Sequence, residues 1–546
     1  MLRKIFSKSI DSITVAAALV AVSSLGSRVL GVVRDRILAG SFGAGSTLDT
    51  YFAAFRIPDL IFNLVVLGAL SAGFIPIFTA LIRRHRDGKE GGGKKGDEAW
   101  LLVSNVLNFL LIGIALLSLV GIIFSNGLTK LITPGFSLEQ QAETAKLTRI
   151  MFLSPIFLGL SGIMGGVLQS FKRFLIYSLA PIFYNLGIIV GAVYFVDLWG
   201  IIGLAWGVVL GAFMHFVIQI PSVKGLGFKY KFFISWKDKN IRKLGRMMVP
   251  RTMSLAISQI NLVVITIIAS GLAEGSLTAF NFANNLQAFP VGIFGISFAI
   301  AAFPVLSEHA GNYHRLSAYF SKTVRQILFF IIPASVLMVA LRAQIIRVVY
   351  GTGNFDWRST FMTMDVLGFF ALSLFAQALI PLLTRVYYAK HNSKTPFYFG
   401  LVAIALNIGL SFYFGKILGV AGLALAFSIA NIVNLVLLWT WLYVKVGSLD
   451  FARIMSSVLK FAVAAIAAGL SAQIMKLVVW PFIDMTKFSG VFIQLSASFI
   501  VGILVYALFC YLLGSEEYLN FASSLKKKWP FKKVKIEDQG EARSLN

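Results

Sequence analysis

The chain has 546 residues, 58% of them hydrophobic and 13% charged, with a formal net charge of +26 and a mean hydropathy of +0.82. That apolarity excludes an ordinary soluble globular protein. The single cysteine, Cys510, excludes an internal disulfide framework, a thiolate metal site and cysteine catalysis.

Apolar stretches of about 20 residues, each enough for one crossing of a roughly 30 Å hydrocarbon core, recur along the whole chain. The first, 13–39, is too long for a secretory signal and runs into charge without a small-residue cleavage site. Arg28 lies inside it, and Arg34, Asp35 and Arg36 follow before the helix can end. A charge near a bilayer centre costs about 3 kcal/mol or more, so it belongs on a cavity or against a partner. Arg28 and Asp35 are seven apart and share a face, with Arg34 close beside them. That face calls for an anion, while Arg36 reads as snorkelling to the interface.

Thirteen further spans follow at 48–82, 99–124, 148–171, 177–198, 200–221, 243–272, 276–304, 322–341, 361–384, 395–415, 420–444, 454–479 and 488–513. With the N-terminus inside, the inner loops and termini hold 34 Lys/Arg and the outer loops 8. This is a strong positive-inside bias, with both termini cytoplasmic. The basic charge then faces anionic lipid, not nucleic acid. The inner segment 223–242 mixes lysines with Phe228, Tyr230, Phe232, Phe233 and Trp236 and reads as a linker lying on the cytoplasmic leaflet. KKKWPFKKVK (526–535) reads as a second lipid-facing patch, and the polar end after Ile536 as disordered.

Internal repetition gives the architecture. GAGSTLDTYFAAF (43–55) lies on AEGSLTAFNFANN (273–285) at an offset of 230, and GIIGLAWGVVLG (200–211) on GVAGLALAFSIA (419–430) at 219. Two copies of a six-helix unit with the same orientation are related by an axis along the membrane normal. The expected fold is therefore all-α and polytopic, with about fourteen transmembrane helices. Its parts are an N-lobe (1–222), the linker (223–242), a C-lobe (243–447), two extra helices (448–514) and a basic tail (515–546). Gly203, Gly207 and Gly211 permit close helix contact. Pro58, Pro76, Pro250, Pro290, Pro304 and Pro381 are placed to bend or break spans.

The run SRVLGVVRDRILAGSFGAGSTLDTYFAAFRIPDL (27–60), with GALSAGFIPIF (68–78), resembles the MurJ/MviN family of lipid II flippases. That family lies within the multidrug/oligosaccharidyl-lipid/polysaccharide exporter superfamily. The likeness continues through KRF (172–174), APIFYN (180–185), FPVGIFGISFAIAAFPVLS (289–307), YGTGNF (350–355) and SKTP (393–396). The resemblance implies a transporter, not an enzyme, in the bacterial inner membrane, serving cell-wall synthesis. Its substrate would be lipid II, its last helix pair would border a groove for the undecaprenyl tail, and cell-wall polymerases would be candidate partners. It implies that Arg28 and Arg34 line a central cavity and hold the pyrophosphate, for which a bidentate guanidinium is well shaped. Asp35 would orient them or gate by pairing, and Asp49, after the FGAG turn, would help close the outer end.

The chain also departs from the pattern. Phe62 and Asn63 stand where better-known members carry a basic residue, and Asn284–Asn285 where they carry an Asp-Arg pair. Arg56 and Asp59 either supply local charge or close on each other at i,i+3. Asn281, Asn284 and Asn285 form a polar face for sugar and phosphate or for helix–helix bonds. No cofactor is expected and no GxxxxGK[ST] loop is present, so ATP does not drive the cycle directly. Coupling stays open between the membrane potential and a cation held by Asp35, Asp49, Asp59 or Asp365. A flippase for another polyprenyl-linked oligosaccharide is the alternative. A drug exporter would need an acidic cavity, and a membrane enzyme would need clustered carboxylates or histidines.

Overall fold

The computed structural model describes residues 13–67, 73–86, 96–447 and 449–528. The basic residues of 1–12, and half of those in the 83–98 loop and in the 526–535 patch, lie outside them. Every described element is helical. The first lobe holds α1 (Ile13–Phe42), α2 (Ser46–Ala54, Arg56–Phe62, a π-helical turn Asn63–Leu67 and Ile75–Arg86) and α3 (Gly96–Ile123). It is completed by α4 (Leu138–Ser170), α5 (Phe174–Trp199) and α6 (Ile202–Lys224). The second lobe holds α7 (Lys239–Ser270), α8 (Ser276–Glu308), α9 (Tyr313–Ala340), α10 (Trp357–Ala371 and Leu374–Ala389), α11 (Lys394–Leu418) and α12 (Val420–Val446). The final pair is α13 (Phe451–Phe482) and α14 (Phe488–Leu512).

Fourteen helices thus stand where fourteen spans were expected. Ten are long and apolar enough to cross a membrane on composition alone, and eleven when the 46° bend of α10 is read as one span. The other three have local reasons. In α1 the side chains of residues 13–18 lie outside the described set, and the stretch that remains carries Arg28, Arg34, Asp35 and Arg36. Residues 68–72 of α2 are outside the described set. The first half of α7 is charged, leaving Leu255–Ser270 as its apolar part. The α10 bend falls at 371–374 and not at Pro381, which sits within the following helix.

The repeat is visible in backbone detail. The elbows before α6 and α12 are Gly200 and Gly419, both at φ +59° with ψ near −146° and −141°, a conformation open to glycine and strained for other residues. Gly203 packs on the main chain of Phe195, and Gly422 on that of Phe414. The π-turn at Asn63–Leu67 in α2 has its counterpart at Val291–Ile296 in α8. A short helix follows α3 (Ser125–Ile132) and another follows α9 (Arg342–Tyr350). Gly207 faces Gly191 and Gly211 faces Gly187, the close approach expected of that glycine series.

Packing is asymmetric along the bundle. At the end where α1 meets α2, one continuous core joins both lobes, with Leu38, Tyr51, Phe282, Tyr350 and Phe355 at its centre. Tyr350 stacks on Phe282 with 4.4 Å between ring centroids. At the opposite end, the linker end, the two lobes have separate cores. Such a body is closed at the first end and divided at the second.

One reading changes, and two segments gain detail. Arg36 does not snorkel: its guanidinium donates to the carbonyls of Val348 and Val349 (3.1 Å to the latter) and lies over the Phe488 ring. The linker is an extended strap on α3. Asn105 and Asn108 bond its main chain at Ser235 and Phe233, and Tyr230 donates to Asn108 at 2.7 Å. The charged start of α7 then packs Ile241 and Leu244 into the first lobe's core. After α14, a helix Glu516–Lys528 docks through buried Arg325, which pairs with Glu517 and, at 3.2 Å, with Glu516. The adjoining guanidinium groups of Arg453 and Arg325 hold the Glu516 carboxyl below its usual range.

Candidate functional site

A cavity of about 430 Å³ opens between the lobes, walled by α1, α2, α4, α5, α6 and α8. Its charged lining is Arg34, Arg56 and Asp59, joined by Tyr51, Asn63, Tyr184, His215, Asn281 and Asn285. Six residues of helix turn through about 600°, so Arg28 and Arg34 point roughly 120° apart, whereas Arg28 and Asp35 share a face. The structure follows that geometry.

Arg34 turns toward α5. Its Nε and Nη2 donate to Asp35 Oδ1 at 2.9 and 2.7 Å, and its Nη1 to Asn185 Oδ1 at 3.0 Å. Asp35 is buried and its second oxygen accepts from Asn285 Nδ2 at 2.8 Å. A polar chain Asn185–Arg34–Asp35–Asn285 therefore ties α5 to α1 and α1 across the lobe boundary to α8. Arg56 does not close on Asp59. Its Nε donates to Thr266 Oγ1 at 2.8 Å and its Nη2 to Asn281 Oδ1 at 3.0 Å, so its charge meets neutral acceptors. His215 Nδ1 is hydrogen-bonded with Ser161 Oγ at 2.6 Å, and Gln219 donates to that hydroxyl.

Arg28 is not part of this lining. It lies in the α1–α8 seam toward the linker end and donates to the Ala288 carbonyl at 3.2 Å. Gly292 makes the space, because a Cβ there would collide with the guanidinium. Asn284 also turns away: it accepts from Gln287, which accepts from Gln377 in α10. Asp49 is at the closed end, 3% exposed, and accepts from Gly275 N (2.8 Å), Thr278 N (2.8 Å) and Thr278 Oγ1 (2.6 Å). It caps the start of α8 from the other lobe. Around it Asn354 donates to the carbonyls of Gly40 and Ser41, and Ser46 N to Glu274.

Arg34, Asp35, Arg56, Asp59 and Asn285 are thus brought together, while Arg28, Asp49 and Asn284 are set apart from the cavity. Sequence reasoning missed Tyr51, Tyr184, Asn185 and His215 as neighbours. The available signal was that His215 alone among the five histidines falls within an apolar span. Among the described residues no group of three or more His, Cys, Asp or Glu could hold a metal ion.

Residues 38–493 match the family model described as Lipid II flippase MurJ. The probable lipid II flippase MurJ of Vibrio cholerae is 30% identical over 442 residues, covering 78% of this chain and 82% of that protein. The lipid II flippase MurJ of Burkholderia cenocepacia is 28% identical over 423 residues, covering 76% and 80%. Among solved structures, a lipid II flippase MurJ in an inward closed conformation superposes with a TM-score of 0.73 at 26% identity, covering 92% of this chain and all of that one. An inward-facing multidrug MATE transporter of the MOP superfamily shares the fold alone, with a TM-score of 0.64 at 15% identity.

Proposed function

Because the chain belongs to the MurJ family of lipid II flippases, we propose that its interlobe cavity receives the pyrophosphate of lipid II at the cytoplasmic leaflet and delivers it to the outer leaflet of the bacterial inner membrane. The observation that carries this reading is a guanidinium-lined cavity between two lobes whose cores join at one end only. With both termini cytoplasmic, the joined end is periplasmic and the state is inward-facing.

The chemistry follows from the pairing. Arg34 is held by Asp35 and Asn185. A pyrophosphate offers oxygens to a planar fork in the same bidentate manner as a carboxylate, so substrate exchanges with Asp35 at Arg34. That exchange weakens the Asp35–Asn285 link between lobes and couples occupancy to their separation. Arg28, in the α1–α8 seam, meets the pyrophosphate on entry, and Arg56 supplies a cation in the body of the cavity. The undecaprenyl tail stays in lipid along α13 and α14. Basic inner loops hold the protein against anionic lipid, and cell-wall polymerases consume the product outside. The membrane potential supplies drive at about 2.3 kcal/mol per charge per 100 mV.

The test is translocation of fluorescent lipid II in proteoliposomes. Arg34→Ala abolishes transport with folding intact, and Arg34→Lys, which keeps charge but loses the fork, retains part of it. Full transport by an Arg28→Ala, Arg34→Ala double variant would refute the site.

A further inference from the structure

Asp59 is out of place in a cavity built for an anion. It lies on α2 one turn from Arg56, and the hydrogen bonds and ion pairs of the cavity leave its carboxylate aside. Arg56 is committed to Thr266 and Asn281, and Asn63 bonds only the Asp59 main-chain carbonyl, at 2.8 Å. The groups that face Asp59 are Arg56 and Tyr51 on α2, Arg34 with its Asp35 on α1, Tyr184 on α5 and His215 on α6. From α4 comes Leu158, from α7 Thr266 and from α8 Asn281 and Asn285, all uncharged.

Arg34 and Asp35 cancel, and an ionised Asp59 cancels Arg56, so the cavity has no net attraction for an anion. It gains one positive charge only when Asp59 is neutral. Unpaired charge in a medium poorer than water is expensive, and a second anion placed beside a carboxylate favours its protonated form. A metal cation would need several ligands converging on it, whereas among the described residues Asp59 belongs to no group of three or more His, Cys, Asp or Glu that could hold one.

We propose that Asp59 is a proton-binding site linked to the substrate: the carboxylate takes up one proton as the pyrophosphate enters, and the loaded cavity carries both. The proton adds to a carboxylate oxygen and no other bond changes. This rests on the lipid II reading above but is separable from it. In Asp59→Asn the neutral form is permanent and nearly the same shape.

The experiment measures lipid II binding to the detergent-purified full chain from pH 6 to pH 8.5. Wild type loses affinity as pH rises, approaching tenfold per pH unit, the limit for one linked proton. Asp59→Asn binds with the low-pH affinity throughout and so gains affinity at pH 8.5, a result that misfolding cannot produce. His215→Gln keeps the wild-type slope. Equal slopes in wild type and Asp59→Asn would overturn the proposal, as would a slope that disappears with His215. A dependence on NaCl against choline chloride at fixed pH would assign the site to sodium and overturn it too. Absence of lipid II binding by every form at every pH would refute the function reading instead.

Discussion

Removing the Asp49 carboxylate should unlatch the end at which the two lobes share a core. The group receives three hydrogen bonds of 2.6–2.8 Å from Gly275 and Thr278. It also places a negative charge at the start of α8, where the helix dipole is positive. Hydrogen bonds to a charged group contribute about 1.5–3 kcal/mol each. Three on one carboxylate are not additive, so about 3 kcal/mol is a fair figure for the set. At 1.4 kcal/mol per decade, that is roughly a hundredfold shift toward separation. A population closed 99 to 1 would become evenly divided. The readout is a spin-label distance between Leu138→Cys in the first lobe and Trp357→Cys in the second, both exposed in the structure, in a Cys510→Ser background. Asp49→Ala should add a long-distance population absent from the parent, and Asp49→Asn a smaller one. An unchanged distance distribution in a folded Asp49→Ala protein would show that the ring and backbone contacts alone hold this end, and the latch would be refuted.

Other perturbations separate the remaining parts. Gly292→Val should expel Arg28 from the α1–α8 seam and slow lipid II entry, read as a raised KM for translocation with the Asp49 latch distance unchanged. Glu517→Gln leaves the buried Arg325 without its main partner and should cost about 3 kcal/mol or more, read as early loss of protection of 516–528 in hydrogen exchange. The Glu516 carboxyl is held low in the folded protein, so its contribution is complete above the ordinary carboxylate range and is lost as pH falls through its folded value. Docking of the 516–528 helix should therefore loosen on acidification, and a docking strength that rose instead would contradict that pairing.

Much of this was legible in the sequence because bilayer thickness and glycine spacing act locally. Helix number, the two-lobe repeat and the Gly203–Gly211 approach all follow from runs and offsets along the chain. The cavity was legible only in part. Arg34, Arg56 and Asp59 were named, but the roughly 120° between Arg28 and Arg34 sends one to α8 and the other to α5, and their partners lie at Ala288 and Asn185. Those contacts depend on how α5 and α8 cross α1, which no spacing within α1 encodes. Arg36 was misread for the same reason, since nothing before residue 40 reveals that Val348 and Phe488 will cover it. The docked helix after α14 was missed because its anchor, Arg325, is nearly two hundred positions away from Glu517.

The most direct test of the account is genetic replacement with a leaflet readout. The chain is produced in a bacterium whose own lipid II flippase can be depleted, and lipid II exposed at the outer face is measured as depletion proceeds. The expected result is sustained growth and outer-leaflet lipid II with the wild-type chain, and lysis with lipid II confined to the inner leaflet for Arg34→Ala at equal membrane abundance. Failure of the abundant wild-type chain to bring lipid II to the outer face, or full rescue by Arg34→Ala, would contradict it.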